Sequence, residues 1–303
     1  MKKALLAYNP MSGSRFVAQN LDFIVNCFQQ QGIRLLLHRI SEEEDLIASV
    51  AQVDVDFIIG AGGDGTISQV IASMLKYGVR LPFMALGTGT SNNFTRNIED
   101  TKSITSNEQA KKIIEDALHG EAQQFDVGRI NEKIIFLTSL AGGNFIDTTF
   151  TTDKNLKYMF GSLAYYIKPL TEISNMKSYP IRVTVDGKLH EENILVFVIV
   201  NGSAVGNFDN FVNNADMKDG VMEMVLIKEG TPLDNLTLFR SIVKGEDITA
   251  HNNVVVLKGA HFLIECDEDM PIAVDGEKGP ELPLEVEVLP QAISVMVAQN
   301  ATE

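Results

Sequence analysis

Apolar residues at Val55, Phe57, Ile58 and Ile59 stop at Gly60-Ala61-Gly62-Gly63-Asp64-Gly65-Thr66-Ile67-Ser68, then return at helical spacing through Val70, Ile71, Met74 and Leu75. Strand, glycine turn and amphipathic helix in that order make a βα unit, and such units assemble into a parallel sheet covered by helices. The same rhythm runs through the first third of the chain. Strands are predicted over residues 3–8, 33–40, 56–59 and 81–86, and helices over 15–30, 42–50, 66–76 and 107–118.

From about residue 124 strands dominate, over 124–130, 133–141, 181–185, 192–200, 221–227, 254–257, 261–265 and 271–274. Asn131-Glu132 and Asp186-Gly187 mark hairpins, and a helical segment is predicted near 155–173. With 303 residues the chain can bury two cores. The fold class is α/β plus β: a parallel-sheet domain over residues 1–123 and, over 124–290, an antiparallel domain that reads as a sandwich or a barrel-like sheet. Strands predicted over 284–289 and 293–298 suit either domain, so the residues near 290–303 can return to the first. A cleft between two such domains is where a ligand is expected.

The formal charge of −15 argues against nucleic-acid binding and against broad adsorption to anionic membranes. The longest apolar run, 194–200, is far too short for a transmembrane segment. The opening residues read as a short buried strand and not as a secretion leader, so a cytoplasmic location is expected. Cys27 and Cys266 lie in unrelated contexts and read as two buried core thiols.

A glycine turn at a helix start presents bare N–H groups, which suits phosphate. Asp64 within it repels phosphate unless a metal lies between or a proton must be taken, so the turn suits metal-assisted phosphoryl transfer. Gly-Asp turns are also ordinary punctuation, but two further loops follow strands in the same way: Asn9-Pro10-Met11-Ser12-Gly13-Ser14 and Gly87-Thr88-Gly89-Thr90-Ser91-Asn92-Asn93-Phe94. In an open parallel sheet such loops line one crevice. In the β region, Asp216 and Asp219 with the Val221 carbonyl either hold a hard cation or form a solvated turn. Asp275-Gly276-Glu277 is either a plain hairpin tip or one that offers Glu277 as a general base.

Taken in order, Asn9 to Gly13, Gly62 to Thr66, Gly89 to Asn92, Asp219-Gly220 and Asp275 to Glu277 resemble the motif set of soluble bacterial diacylglycerol and lipid kinases. Gly161-Ser162-Leu163-Ala164-Tyr165 is similar to another marker of that family, and the likeness runs from residue 8 to about 295. The glycine turn is shared with sphingosine kinases and NAD kinases. The resemblance implies a Rossmann-like first domain, a β-sandwich second domain, ATP and Mg2+. By matching positions, ATP contacts Asn9, Pro10, Met11, Ser12, Gly13, Ser41, Gly62, Gly63, Asp64, Gly65, Thr66, Ile67, Ser68 and Thr90. Asp216, Asp219 and the Val221 carbonyl match a structural magnesium site. Glu277 matches the proton acceptor, while Asp64 matches a turn acid assigned as the base in some relatives. The preferred reading makes Glu277 the base, with Asp64 serving the metal and phosphates.

Where the family usually shows Asn-Glu and Asn-Asp, this chain has Ser68-Gln69 and Asn92-Asn93, which removes two acids near the phosphates. The implied reaction is γ-phosphoryl transfer from ATP to a lipid hydroxyl, diacylglycerol or a related glycerolipid. An NAD kinase-like enzyme and a nucleotide-binding regulator remain the alternatives. The implied partners are a lipid at the membrane surface, reached by transient peripheral contact, and a second copy of the chain. Residues 156–167, rich in aromatic and aliphatic side chains, suit core packing or interfacial docking.

Overall fold

Strands β1 (Lys2–Tyr8), β3 (Phe57–Gly62) and β4 (Phe83–Gly87) are buried over nearly their whole length. Parallel strands covered on both faces need apolar residues on both, which is why they read as unbroken apolar runs. The structure is a computed structural model that describes residues 1–13, 15–40, 53–99, 103–144, 146, 176–205 and 211–298. The chain divides into two compact units, Met1–Asp126 with Gln291–Glu303, and Val127–Pro290.

In the first unit the parallel strands lie in the order β2 (Ile33–Arg39), β1, β3, β4. The end of β15 (Leu284–Val297) joins them in parallel at Val295 opposite Phe83. One core gathers Ala4, Leu6, Ile59, Met84 and Leu86 against Ile24 and Phe28 of the helix Leu21–Gln30 and Ile114 of the helix Asn107–His119. The helix Asp64–Lys76 buries Ile67, Val70 and Ile71. The helix predicted over 15–30 is two, Phe16–Gln19 and Leu21–Gln30, because the Asn20 side chain donates to the Phe16 carbonyl at 2.9 Å. The helix predicted over 42–50 lies outside the described residues.

The second unit is antiparallel, a β-sandwich. Its pivot is β9 (Lys188–Val200): residues 188–194 pair with β8 (Tyr179–Val185), and residues 196–200 pair with β7 (Ser139–Gly143) and β10 (Met222–Lys228). Strands β11 (Val254–Gly259) and β12 (His261–Cys266) extend the two sides, β11 on β10 and β12 on β8. Phe197, Ile199, Met224, Ile181, Phe262 and Val286 fill the shared core. The helix Pro232–Lys244 packs Leu238 against Val225 and Val254. Sequence patterning leaves this helix out, although Thr231 and Asp234 form a capping box at its start and Gly245 closes it in the left-handed region.

Both expected hairpins form, β5 (Glu121–Ile130) with β6 (Ile134–Phe136) and β8 with β9. The strand predicted over 133–141 is broken at Leu137 and Thr138, and those over 284–289 and 293–298 are the single strand β15. Cys27 is buried, and burial pushes its thiol pKa up; Cys266 is only half-buried, contrary to the expectation of two core thiols. The segments 155–173 and 156–167 and the marker 161–165 lie outside the described residues. Among the described residues no helix is long and apolar enough to cross a membrane.

Candidate active site

The chain passes from β1 outward to β2 and returns on the far side of β1 to form β3. Connections leaving β1 and β3 therefore diverge, and a crevice opens at their carboxyl ends. Three loops meet there. The Thr88 N–H donates to the Gly62 carbonyl at 2.7 Å, and the Asn9 N–H to the Ala61 carbonyl at 3.1 Å. A Cβ on Gly13 would lie 2.0 Å from the Thr88 carbonyl oxygen, and one on Gly89 2.6 Å from Gly63 Cα. Backbone meets backbone at these points, so only glycine lets the loops close. At Gly13 a φ of 52° adds a second reason.

Side chains then hold the loops in place. Asn9 Oδ1 accepts the Met11 N–H at 2.9 Å. Asn92, fully buried with φ 50°, accepts the Gly89 N–H at 2.9 Å and donates to the Gly89 carbonyl at 3.0 Å. Ser103 donates to that same carbonyl at 2.6 Å and accepts from Asn92 at 2.6 Å. Asp64 Oδ1 accepts the Phe94 N–H at 3.2 Å, which ties the second loop to the third and starts the helix Asn93–Glu99. Asp64 also sits in the first turn of its own helix, where the helix dipole favours a carboxylate.

The structure thus brings Asn9, Pro10, Met11, Ser12, Gly13, Gly62, Gly63, Asp64, Gly65, Thr66, Ser68 and Thr90 onto three loops that meet at one sheet edge. Met11, Gly13, Gly65 and Thr90 are exposed there, while Ser12, Gly63, Asp64 and Ser68 are half-buried. Thr66 is buried against Gly62. The Ile67 side chain faces the core and its N–H donates to the Gly63 carbonyl at 3.1 Å, so it offers a ligand neither. Ser41 lies outside the described residues. Thr88 Oγ1 and Asn93 Oδ1 are buried without a hydrogen-bond partner among the described residues. Bare glycine backbone, helix-start N–H groups and hydroxyls, the orphaned Thr88 Oγ1 among them, make a donor set that fits a polyphosphate.

The expected metal residues, all in the second unit, are arranged differently. Asp216 accepts the Lys218 N–H at 3.1 Å, and Asp219 accepts the Val221 N–H at 3.2 Å. The other Asp219 oxygen lies 2.8 Å from Lys258 Nζ, which is also 2.8 Å from Glu223 Oε1. The two carboxylates hold the Lys258 ammonium pKa well above the ordinary lysine range. Burial raises the Glu223 pKa, against the pull of Lys258. Among the described residues no three His, Cys, Asp or Glu side chains gather to hold a metal ion. A tethered ammonium thus engages one oxygen of Asp219, one of the residues expected to hold a divalent cation. Sequence reasoning gave no sign of Lys258 or Ser103.

Glu277 opens β14 (Glu277–Lys278), exposed at the tip of a hairpin with β13 (Ile272–Val274). Asp275 and Gly276 form its two-residue turn, with φ 48° and 85°.

Residues 3–130 match the diacylglycerol kinase catalytic domain, and residues 146–297 match the YegS C-terminal NAD kinase beta sandwich-like domain. The chain belongs to the diacylglycerol and lipid kinase family. Its relatives in that family include a diacylglycerol kinase of Bacillus subtilis (strain 168), 26% identical over 306 residues, covering 100% of this chain and 99% of the relative. A diacylglycerol kinase of Staphylococcus carnosus (strain TM300) is 26% identical over 302 residues, 99% of this chain and 96% of the relative. The fold is shared with a crystal structure of a Bacillus anthracis str. Sterne diacylglycerol kinase at TM-score 0.75 and 22% identity, covering 98% of this chain and 97% of that one. Another structure from the same strain reaches TM-score 0.82 at 23% identity, covering 98% and 96%. Membership of this lipid kinase family makes the protein a phosphotransferase.

Proposed function

We propose that the protein transfers the γ-phosphoryl group of ATP to a lipid hydroxyl, of diacylglycerol or a related glycerolipid, at a membrane surface. The meeting of three glycine- and hydroxyl-rich loops at the β1/β3 switch point carries this reading. Ser12, Gly13, Gly63, Gly65, Thr66 and Thr90 hold phosphate oxygens through N–H and hydroxyl groups. Mg2+ bound with the nucleotide would supply charge neutralisation, with Asp64 as the residue to hold it. The acceptor oxygen bonds to the γ-phosphorus as the bond from that phosphorus to the β–γ bridging oxygen breaks. ADP leaves with the bridging oxygen, and the hydroxyl proton passes to the Glu277 carboxylate. One Asp64 oxygen is already engaged by the Phe94 N–H, which supports Glu277 over Asp64 as the base. No step runs through a metal at Asp216, Asp219 and Val221. A homodimer and transient contact with the membrane belong to the same reading.

The test uses ATP labelled at the γ-phosphate, Mg2+, and either diacylglycerol vesicles or NAD. Label in the phosphomonoester of diacylglycerol is the expected result. Label in NAD alone overturns the lipid acceptor, and nucleotide binding without any labelled product overturns phosphoryl transfer. Glu277→Gln is expected to lower turnover by about 10²–10⁴-fold while ATP binding is retained.

A further inference from the structure

The hairpin that carries Glu277 is too small to hold itself still. Strand β13 has three residues and β14 two, and so short a ribbon is at best marginal in water. Pairing of Ile272–Val274 with Leu140–Gly142 of β7 holds the β13 side, and what fixes the turn beyond that ladder is Asp275. One of its carboxylate oxygens accepts the Leu137 N–H at 2.9 Å. The other accepts the Thr138 N–H at 2.9 Å, the Ser139 N–H at 3.0 Å and the Thr138 hydroxyl at 2.7 Å. The Asp275 N–H in turn donates to the Ser139 carbonyl at 2.8 Å.

The anchor is itself immobile. Leu137 and Thr138 are each 1% exposed. Asn201 closes the other side of this segment: its amide donates to the Leu137 carbonyl and its N–H to the Thr138 carbonyl, both at 2.9 Å. The break between β6 and β7 therefore aims three successive N–H groups at one carboxylate, a backbone nest for an anion. That carboxylate belongs to the first residue of the turn, two positions before Glu277.

We infer that Asp275 is the positioning residue for Glu277, acting through the backbone to set where the proton-accepting carboxylate stands during phosphoryl transfer. The inference rests on the reading of Glu277 as the base. An amide at position 275 turns an NH2 group toward N–H donors, so the hairpin tip shifts while the second unit stays folded. Misplacing a catalytic group by about 1 Å costs on the order of 10²-fold in rate.

The experiment is a double-mutant cycle of Asp275→Asn and Glu277→Gln in the full chain, with kcat and KM for ATP measured on diacylglycerol vesicles. Asp275→Asn alone is expected to lower kcat by on the order of 10²-fold with KM for ATP unchanged, and to add no further loss in the Glu277→Gln background. Asp186→Asn is the control, because Asp186 anchors the other Asp-Gly hairpin in the same manner, accepting the His261 N–H at 2.9 Å and the Ala260 N–H at 3.2 Å. It is expected to leave kcat unchanged. Losses that multiply in the double variant, or an unaltered Asp275→Asn enzyme, overturn the inference. If Glu277→Gln alone turns over normally, the reading of Glu277 as the base is what fails. Should Asp275→Asn not fold, Thr138→Val removes a single donor and is expected to show the same non-additivity at about a tenfold loss; additivity there overturns the inference equally.

Discussion

Replacing Lys258 with methionine tests whether a tethered ammonium does the work of a cation in the second unit. Methionine keeps most of the stem and removes the charge. The Glu223 side chain is 8% exposed and sits directly opposite Lys258 in the β10–β11 register, while the Lys258 side chain is 47% exposed. Removing one partner of a fully buried pair costs about 3–5 kcal/mol, and the half-exposed lysine cuts this to about 2 kcal/mol through solvent screening. For a unit of this size that lowers Tm by about 4–8 °C. The sign with pH is defined. Burial already raises the Glu223 pKa, and losing Lys258 raises it further. A carboxyl whose folded pKa is raised contributes stability that is present at low pH and lost as pH rises through that value. The deficit should therefore be smaller at about pH 5 than at about pH 8. Thermal unfolding followed by circular dichroism, with and without MgCl2, reads both effects. With the ammonium gone, Mg2+ is expected to restore part of the lost Tm in Lys258→Met and to leave the parent chain unmoved in the absence of nucleotide. A pH-independent deficit of about 1 °C or less would refute the argument by making Lys258 a solvated surface group. A saturable Mg2+ stabilisation of the parent chain would refute it by showing that a metal binds despite the ammonium.

Asp64→Asn is expected to abolish turnover and weaken Mg2+–nucleotide binding, measured by calorimetry with ATP and Mg2+; unchanged binding would remove Asp64 from the metal and phosphate role. Gly89→Ala places a methyl 2.6 Å from Gly63 Cα and 2.9 Å from Asn92 Oδ1. It should raise KM for ATP by on the order of tenfold, with a stability loss of about 1–3 kcal/mol in chemical denaturation. Glu99 accepts the Ala298 N–H at 3.0 Å, and burial raises its pKa. Its contribution to stability is present below its unfolded pKa and lost as pH rises through the folded value. Glu99→Gln is therefore expected to raise Tm at neutral pH and to leave it unchanged at about pH 4.

The parallel unit was legible because its strands are covered on both faces. Phe57, Ile58 and Ile59 are all nearly solvent-free, and a run with no polar face admits few other settings. Local pattern fails where the cause is remote. Leu137 and Thr138 sit inside an apolar run that reads as one strand, yet they break it to serve an acid 137 or 138 residues away. The helix Asn93–Glu99 has no apolar periodicity of its own and begins where the Asp64 carboxylate captures the Phe94 N–H. The helix Pro232–Lys244 is a different case. Thr231, Pro232, Asp234 and Gly245 spell out both of its ends, so start and stop signals deserved more weight there than the surrounding strand pattern.

The phosphate loops were legible for a related reason: each carries its requirement in its own residues. A loop that must approach another backbone within van der Waals contact needs glycine, and Gly13 and Gly89 state that need wherever the partner loop comes from. The metal residues carry no such requirement. Asp216, Asp219 and the Val221 carbonyl suit a divalent ion or a lysine equally well as a string of letters, and only the cross-strand register that sets Lys258 opposite Glu223 brings an ammonium to Asp219. The two solutions differ in kind. Stabilisation by a metal follows its free concentration, whereas an ammonium on the same chain is present at every concentration of salt or chelator. A chain built the second way should keep the fold of its β unit in EDTA, and its need for Mg2+ should then appear in turnover and nucleotide affinity alone.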